Sequence, residues 1–187
     1  MVLRAHVSVR KARVEHMTRP DPDLLVDVVA SKVLAAWKAA SAALARAGVP
    51  HVVIGALAVG ANGYPRATKD VDFLVGEEAF THHAGGLVTM NPALPIEVDG
   101  VPIDYLSPRA DETHLALALA EPPGSFVDAP RLVYLKLKAS RLRDKADVAG
   151  LINAGLDVDA CRAYLAAHAP ALIPVFDDLV DRAELEV

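Results

Sequence analysis

Apolar residues recur at spacings of three and four through Val26, Val29, Val33, Trp37, Ala40 and Leu44, which predicts one long amphipathic helix. Asp21 followed by Pro22 reads as its N-cap and first turn, and Gly48 as its stop. This helix should pack across a sheet and carry no chemistry. The pattern then changes to a short apolar run, Val52, Val53 and Ile54, which reads as a buried strand. A glycine turn at Gly55 and a short helix of small residues follow, then a loop carrying Tyr64, Pro65, Arg66, Thr68 and Lys69. The next strand alternates: Asp70, Asp72 and Leu74 share one face, and Val71, Phe73 and Val75 take the other.

Residues 76–86, GEEAFTHHAGG, read as a loop or short helix, and Leu87 to Leu106 as further strands. Asp99-Gly100, lying between PIEV and VPIDYL, is a strong hairpin signal. In its second arm Val101, Ile103 and Tyr105 face one way and Asp104 the other. Asp111 to Ala120 reads as a helix ended by Glu121-Pro122-Pro123-Gly124. Beyond that break the patterning is helical. Asp128 caps a helix over Pro130 to Leu142, and a second starts at Asp144 with Asp147 in a capping-box-like position. Two more run from Asp157 to His168 and from Ala171 to Ala183, with Pro170 between them and Pro174 in a first turn. The expected organisation is an N-terminal extension (1–20), a sheet-bearing core (21–125) and a C-terminal helical part (126–187). The expected fold class is α/β of the α+β kind, a small mixed twisted sheet flanked by helices.

Composition narrows the function classes. The chain has 187 residues and is 53% hydrophobic, enough for a real core. No apolar run approaches the ~20 residues of a membrane span, so no membrane partner is expected. The first 20 residues are basic without a continuous apolar stretch, which excludes a secretory signal. They read either as a basic arm or as sequence ahead of a start at Met17. The single Cys161 excludes an intramolecular disulfide, suits the cytoplasm, and sits in an apolar helical pattern that implies packing. A net charge of −5 argues against a surface coated in nucleic acid. Arg131, Lys136, Lys138, Arg141, Arg143 and Lys145 nevertheless crowd one segment, a local positive potential suited to a phosphate-bearing ligand.

Candidate chemistry begins with the carboxylates. Asp70 and Asp72 would stand about 7 Å apart along one strand face. Like charges so placed repel, and the arrangement is favourable mainly with a cation between them. Asp104 is either an exposed strand-end acid or a third member of that site. His82-His83 lacks the further ligands a zinc site requires and reads as a solvated pair.

The stretch from His51 to Val75 resembles the nucleotidyltransferase superfamily of polymerase-beta-like enzymes, and within it the small bacterial AbiEii-like branch. The resemblance rests on Gly55-Ala56, Gly60, Gly63 and Arg66-Ala67-Thr68-Lys69-Asp70-Val71-Asp72, on Asp104 in GVPIDYL, and on the later run LVYLKLKASRLRDKADVAGL. It covers residues 45 to 155. It implies a nucleotidyltransferase-like sheet and magnesium-dependent transfer of a nucleoside monophosphate from a nucleoside triphosphate (NTP) to an acceptor hydroxyl. Asp70, Asp72 and Asp104 would be the catalytic and metal-holding residues, with a two-metal site within reach of this donor set. Gly55, Ala56, Arg66, Thr68 and Lys136 would meet the nucleotide. Ala56 stands where many members carry a serine that contacts the triphosphate.

Members of that branch are often toxins of toxin–antitoxin pairs, so an RNA acceptor and an antitoxin protein partner are implied. A small-molecule acceptor, as for antibiotic nucleotidyltransferases, is the enzymatic rival, and a non-catalytic nucleotide- or partner-binding protein of the same fold is the other. Plainer readings stand beside these roles. Arg66 is otherwise an exposed loop cation, Thr68 a brace for its loop, and Tyr64 a residue packed on the sheet rather than a base-stacking ring. Lys136 and its neighbours otherwise form a solvated helix face, with Asp144 and Asp147 as caps or partners of those cations.

Overall fold

The structure is a computed structural model that describes residues 19–185. The expected arm and the Met17 start lie outside the described residues. The fold is α+β, and the chain divides into two compact units. A sheet unit comprises Leu25–Ala58 and Pro65–Val127; a helical unit comprises residues 19–24, 59–64 and 128–185.

In the sheet unit four strands form one mixed sheet: β1 (His51–Val53), β2 (Val71–Val75), β6 (Val101–Leu106) and β5 (Glu97–Val98), in the order β1-β2-β6-β5. β1 and β2 are antiparallel, β2 and β6 parallel, and β6 and β5 antiparallel. A short 3-10 turn over Glu77–Ala79 fits the expected loop or short helix, and a separate antiparallel pair, β3 (Phe80–His82) and β4 (Val88–Met90), takes in residues from that stretch and from the expected strand region. The outer edge of β1 is covered rather than open. Val53 N–H donates to Ser125 O at 2.7 Å, and Val127 N–H donates back to Val53 O at 2.9 Å. Asp99 (φ 50°) and Gly100 (φ 75°) both lie in the left-handed region, the two-residue turn that the Asp-Gly pair predicts for β5–β6.

Alternation decides which side of the sheet is core. Val71, Phe73 and Val75 are fully buried with Val101 and Ile103 in one apolar cluster, whose other wall is helix α1 (Ser31–Arg46) through Val33, Ala36, Ala40 and Leu44. The expected single helix from Asp21 to Gly48 is broken in two. A 3-10 turn over Pro22–Leu25 ends, the chain bends, and α1 starts at Ser31. The bend takes Leu25 to full burial and leaves Val26 outside, whereas the periodic pattern had turned Val26 inward. The far end is as expected: Gly48 has φ +69°, and Val49 N–H donates back to Leu44 O, a six-to-one closure of the last turn. Helix α2 (Gly55–Ala61) follows β1 directly, and α3 (Thr113–Ala116) continues as a 3-10 turn over Leu117–Ala120, shorter than the Asp111–Ala120 helix expected.

The helical unit contains α4 (Ala129–Ala139), α5 (Leu142–Asn153), α6 (Val158–His168) and α7 (Ile173–Leu185). α4 packs against α5 and α6, and α7 packs against α5 and α6. Asp128 caps α4 by accepting from Arg131 N–H, as expected, and Asp157, expected only as a helix start, caps α6 by accepting from Ala160 N–H. α4 stops earlier than expected, at Ser140 in the left-handed region (φ 57°). Consequently α5 begins at Leu142, and Asp144 and Asp147 lie inside it rather than forming its capping box. Cys161 is fully buried, and burial with the nearby Asp157 and Asp128 pushes its thiol up to about 12, so it packs as an apolar group.

Candidate active site

The parallel pairing of β2 with β6 puts Val71 beside Ile103, Asp72 beside Asp104, and Phe73 beside Tyr105. Paired residues of adjacent strands point to the same side of a sheet, so the register that buries the valines and Phe73 turns Asp72 and Asp104 together to the opposite face. Asp72 is half-buried there and Asp104 exposed. Two carboxylates side by side on neighbouring strands are an arrangement that a sheet tolerates poorly without a counter-charge.

Gly55 completes this corner. Ile54 N–H donates to Asp72 O at 2.9 Å, and the chain then turns through Gly55 at φ +63° into α2. A Cβ at Gly55 would lie 2.5 Å from the Asp72 carboxyl carbon, so a side chain there would displace the carboxylate. Glycine is therefore required twice at this position, for its backbone angle and for the space given to Asp72. Ala56 is buried, its methyl taking the place where a serine would offer a hydroxyl.

Asp70 sits immediately before β2, one residue short of the strand in which it was expected. Thr68 Oγ1 donates to Asp70 Oδ1 at 2.5 Å. Arg66 Nη1 donates to Ala67 O at 3.3 Å within its own loop, and Lys69 is exposed. The structure thus brings Asp72 to Asp104 and Gly55, and Thr68 to Asp70. Among the described residues no three His, Cys, Asp or Glu side chains gather into one group able to hold a metal ion. The pair Asp72 and Asp104 fits a hard divalent cation in donor chemistry, since both offer carboxylate groups from fixed strand positions.

In the helical unit, Lys136 on α4 is 9% exposed and ion-paired to two aspartates of α5. Its Nζ lies 3.2 Å from Asp144 Oδ1 and 2.8 Å from Asp147 Oδ2. Asp144 and Asp147 are therefore partners of the cationic segment, one of the two roles expected of them. Lys136 is not part of a solvated helix face. Asp144 Oδ2 has no hydrogen-bond partner among the described residues. Arg131 pairs with Asp128 and stands 5.9 Å from the Tyr164 ring centre, while Lys138 lies 5.7 Å from that of Tyr134. Tyr64 packs on a helix rather than on the sheet: its ring lies against Gly150 of α5, where an added Cβ would fall 2.6 Å from the ring carbon Cζ.

One polar feature escaped the sequence pattern. His51 opens β1 fully buried, accepting at Nε2 from Ser41 O–H (2.7 Å) and donating from Nδ1 to Val49 O (2.9 Å). Gly124 closes over the pair, since a Cβ there would meet Ser41. Burial lowers the His51 pKa, partly opposed by the bond to Val49. The only sequence signal was a histidine adjoining an apolar strand. His82 and His83 are exposed, as a solvated pair should be; His82 lies 3.2 Å from Glu77 and His83 2.8 Å from Thr89. Among the described residues no helix is long and apolar enough to cross a membrane. Compared with family models and with curated proteins, the chain matches none.

Proposed function

We propose that the chain is a magnesium-dependent nucleotidyltransferase of the AbiEii-like kind, acting in the cytoplasm on an RNA hydroxyl as a toxin with a cognate antitoxin protein. The observation that carries the reading is the in-register pair Asp72 and Asp104 on adjacent parallel strands, on the face opposite the α1 cluster, with Gly55 kept bare against Asp72. Such a pair has little use in folding, because like charges side by side oppose it, and a clear use in holding a cation against phosphate. Magnesium, when bound, supplies neutralisation of phosphate oxygens and lowers the acceptor hydroxyl's pKa. Asp72 and Asp104 would hold it, and Asp70 would be a third carboxylate on the resemblance alone. A carboxylate oxygen of Asp104, the most exposed strand position of the pair, accepts the proton of the attacking hydroxyl. Gly55 leaves the turn open to a phosphate, and Arg66 lies on the loop leading into this strand.

A second reading is favoured by Ala56. Its buried methyl removes one triphosphate contact, which suits a protein that binds nucleotide or a partner without turnover. The test is incubation with each of four labelled triphosphates, magnesium and total bacterial RNA, with Asp104→Asn as control. Label on RNA from the wild type alone supports the proposal. Pyrophosphate release without labelled RNA, when small hydroxylated acceptors are added, moves the acceptor to a small molecule. Magnesium-dependent binding without pyrophosphate release establishes the second reading, and neither binding nor transfer overturns both.

A further inference from the structure

The cations of the helical unit fall into two groups by what they meet. Arg131, Lys136, Arg162 and Arg182 each pair with an aspartate. Arg141, Arg143 and Lys145, at the turn from α4 into α5, form no ion pair among the described residues. Arg141 and Arg143 are exposed, and Leu142 between them is 86% exposed. Arg141 is the N-cap residue of α5, no side chain caps that turn, and Arg143 and Lys145 follow directly. The start of a helix carries partial positive charge, so cations there oppose the helix rather than support it. Asp144, the acid of that first turn, is buried against Lys136 and does not offset them at the surface. Three cations gathered where folding disfavours them, in a chain of net charge −5, mark a place for an external anion.

We propose that the α4–α5 turn is a docking surface for the backbone of single-stranded RNA, with Arg141 and Arg143 on phosphates and Leu142 against a ribose or base. RNA as the occupant rests on the acceptor proposed above. Charge complementarity favours it: a guanidinium meets phosphate oxygens with a planar pair of N–H donors, and the N–H groups of an uncapped helix start add to this. An exposed apolar side chain between two arginines suits a polymer whose anionic groups alternate with sugar and base faces. The acidic balance of the whole chain confines the contact to this turn, so a short single strand is engaged rather than a long duplex.

The test follows a short, unstructured, labelled oligoribonucleotide by fluorescence anisotropy over a range of salt, without triphosphate and without turnover. Wild type is compared with Arg141→Gln/Arg143→Gln, with Arg141→Lys/Arg143→Lys and, as a control of equal charge change, with Lys32→Gln/Lys38→Gln on α1. Each phosphate contact on a single strand contributes about 0.7 to the slope of log affinity against log salt. The glutamine pair should lower that slope by about 1.4 and keep its thermal midpoint, since both side chains are exposed, while the lysine pair should keep the wild-type slope. Should the glutamine pair lose its fold, Arg143→Gln alone takes its place, with half the loss of slope expected. A wild-type slope in the glutamine variant overturns the docking surface and leaves the transfer reading untouched. An equal loss in the α1 control also overturns it, because net charge would then be the cause. Displacement of the RNA by polyglutamate as readily as by unlabelled RNA of equal charge overturns it in favour of an acidic protein partner. Wild type that binds no RNA overturns it too, while transfer to small hydroxylated acceptors still decides the enzyme. Arginine-dependent RNA binding without transfer to RNA keeps the docking surface and overturns the acceptor reading.

Discussion

Asp144 and Asp147 in the helical unit, and Asp72 and Asp104 in the sheet unit, are both carboxylate pairs held on rigid elements, yet they are treated in opposite ways. Asp144 and Asp147 are 7% and 1% exposed, and Lys136 supplies their counter-charge from the neighbouring helix. Asp72 and Asp104 are half-buried and exposed, and the register sets them side by side. Burying an unpaired carboxylate is so unfavourable that the chain must carry the counter-charge itself. At a surface, water and salt screen the repulsion. The buried acidic pair thus reports on how the helices are fastened, and a binding role for Asp72 and Asp104 belongs to the proposed function.

The largest effect should come from removing the internal cation. Lys136→Met keeps length and packing but removes the ammonium from two buried carboxylates, and should destabilise the protein by about 3–5 kcal/mol. Asp147→Asn leaves Lys136 paired with Asp144 and should cost less, about 1–3 kcal/mol. Urea unfolding of the two variants checks the order. A Lys136→Met variant as stable as wild type would mean that the cluster does not fasten α4 to α5.

Next in size is Gly55→Ala. Alanine at φ +63° is strained, and its Cβ would push Asp72 from its position. A stability loss of about 1–3 kcal/mol is expected, accompanied by loss of nucleotidyl transfer. Gly48→Ala, at a similar φ but with open space around the added Cβ, is the control for backbone strain alone. If both variants lose equal stability and both keep transfer, the space beside Asp72 has no functional meaning.

A smaller effect is tied to pH. His51 is buried with a lowered pKa, so the unfolded chain, near its ordinary 6.5, takes up the proton more readily than the folded one. Its contribution to stability is complete above 6.5 and is lost as pH falls toward the depressed folded value. Unfolding midpoints should drop as pH falls below His51's ordinary 6.5, and the slope should shrink in His51→Gln. An unchanged slope would assign the acid sensitivity to other groups.

These residues also mark how much the sequence discloses. The core-facing sides of β2 and β6 were legible because alternation has a period of two; the Asp-Gly turn and the cap at Asp128 were legible because each is a local hydrogen-bonding pattern. The break before α1 was not, since burying Leu25 is a tertiary outcome that a periodic pattern cannot distinguish from burying Val26. The pairing of Lys136 with Asp144 and Asp147 depended on where α4 stops, and Ser140 entering the left-handed region is not written in a helical pattern. Asp72 beside Asp104 could be expected as a face but not as a register, because nothing local fixes how two strands 30 residues apart align. The His51–Ser41 bond, across ten residues, left no periodic trace at all.

The smallest stability effect is the one that separates the two carboxylate pairs most sharply. Asp104→Asn removes one of two neighbouring like charges at an exposed strand position, keeps the side chain's size, and leaves no buried group without a partner. Its effect on unfolding should be within about 0.5 kcal/mol, on the stabilising side because the repulsion with Asp72 is relieved. The same substitution should abolish metal-dependent transfer, whereas an equally small change at Asp147 should be felt in stability. If Asp104→Asn instead destabilises as strongly as Asp147→Asn, the exposed pair is fastened to the fold by contacts of its own, and the distinction between a structural and a binding pair disappears. If it leaves both stability and transfer untouched, the distinction in burial survives, but the pair loses its claim to the chemistry.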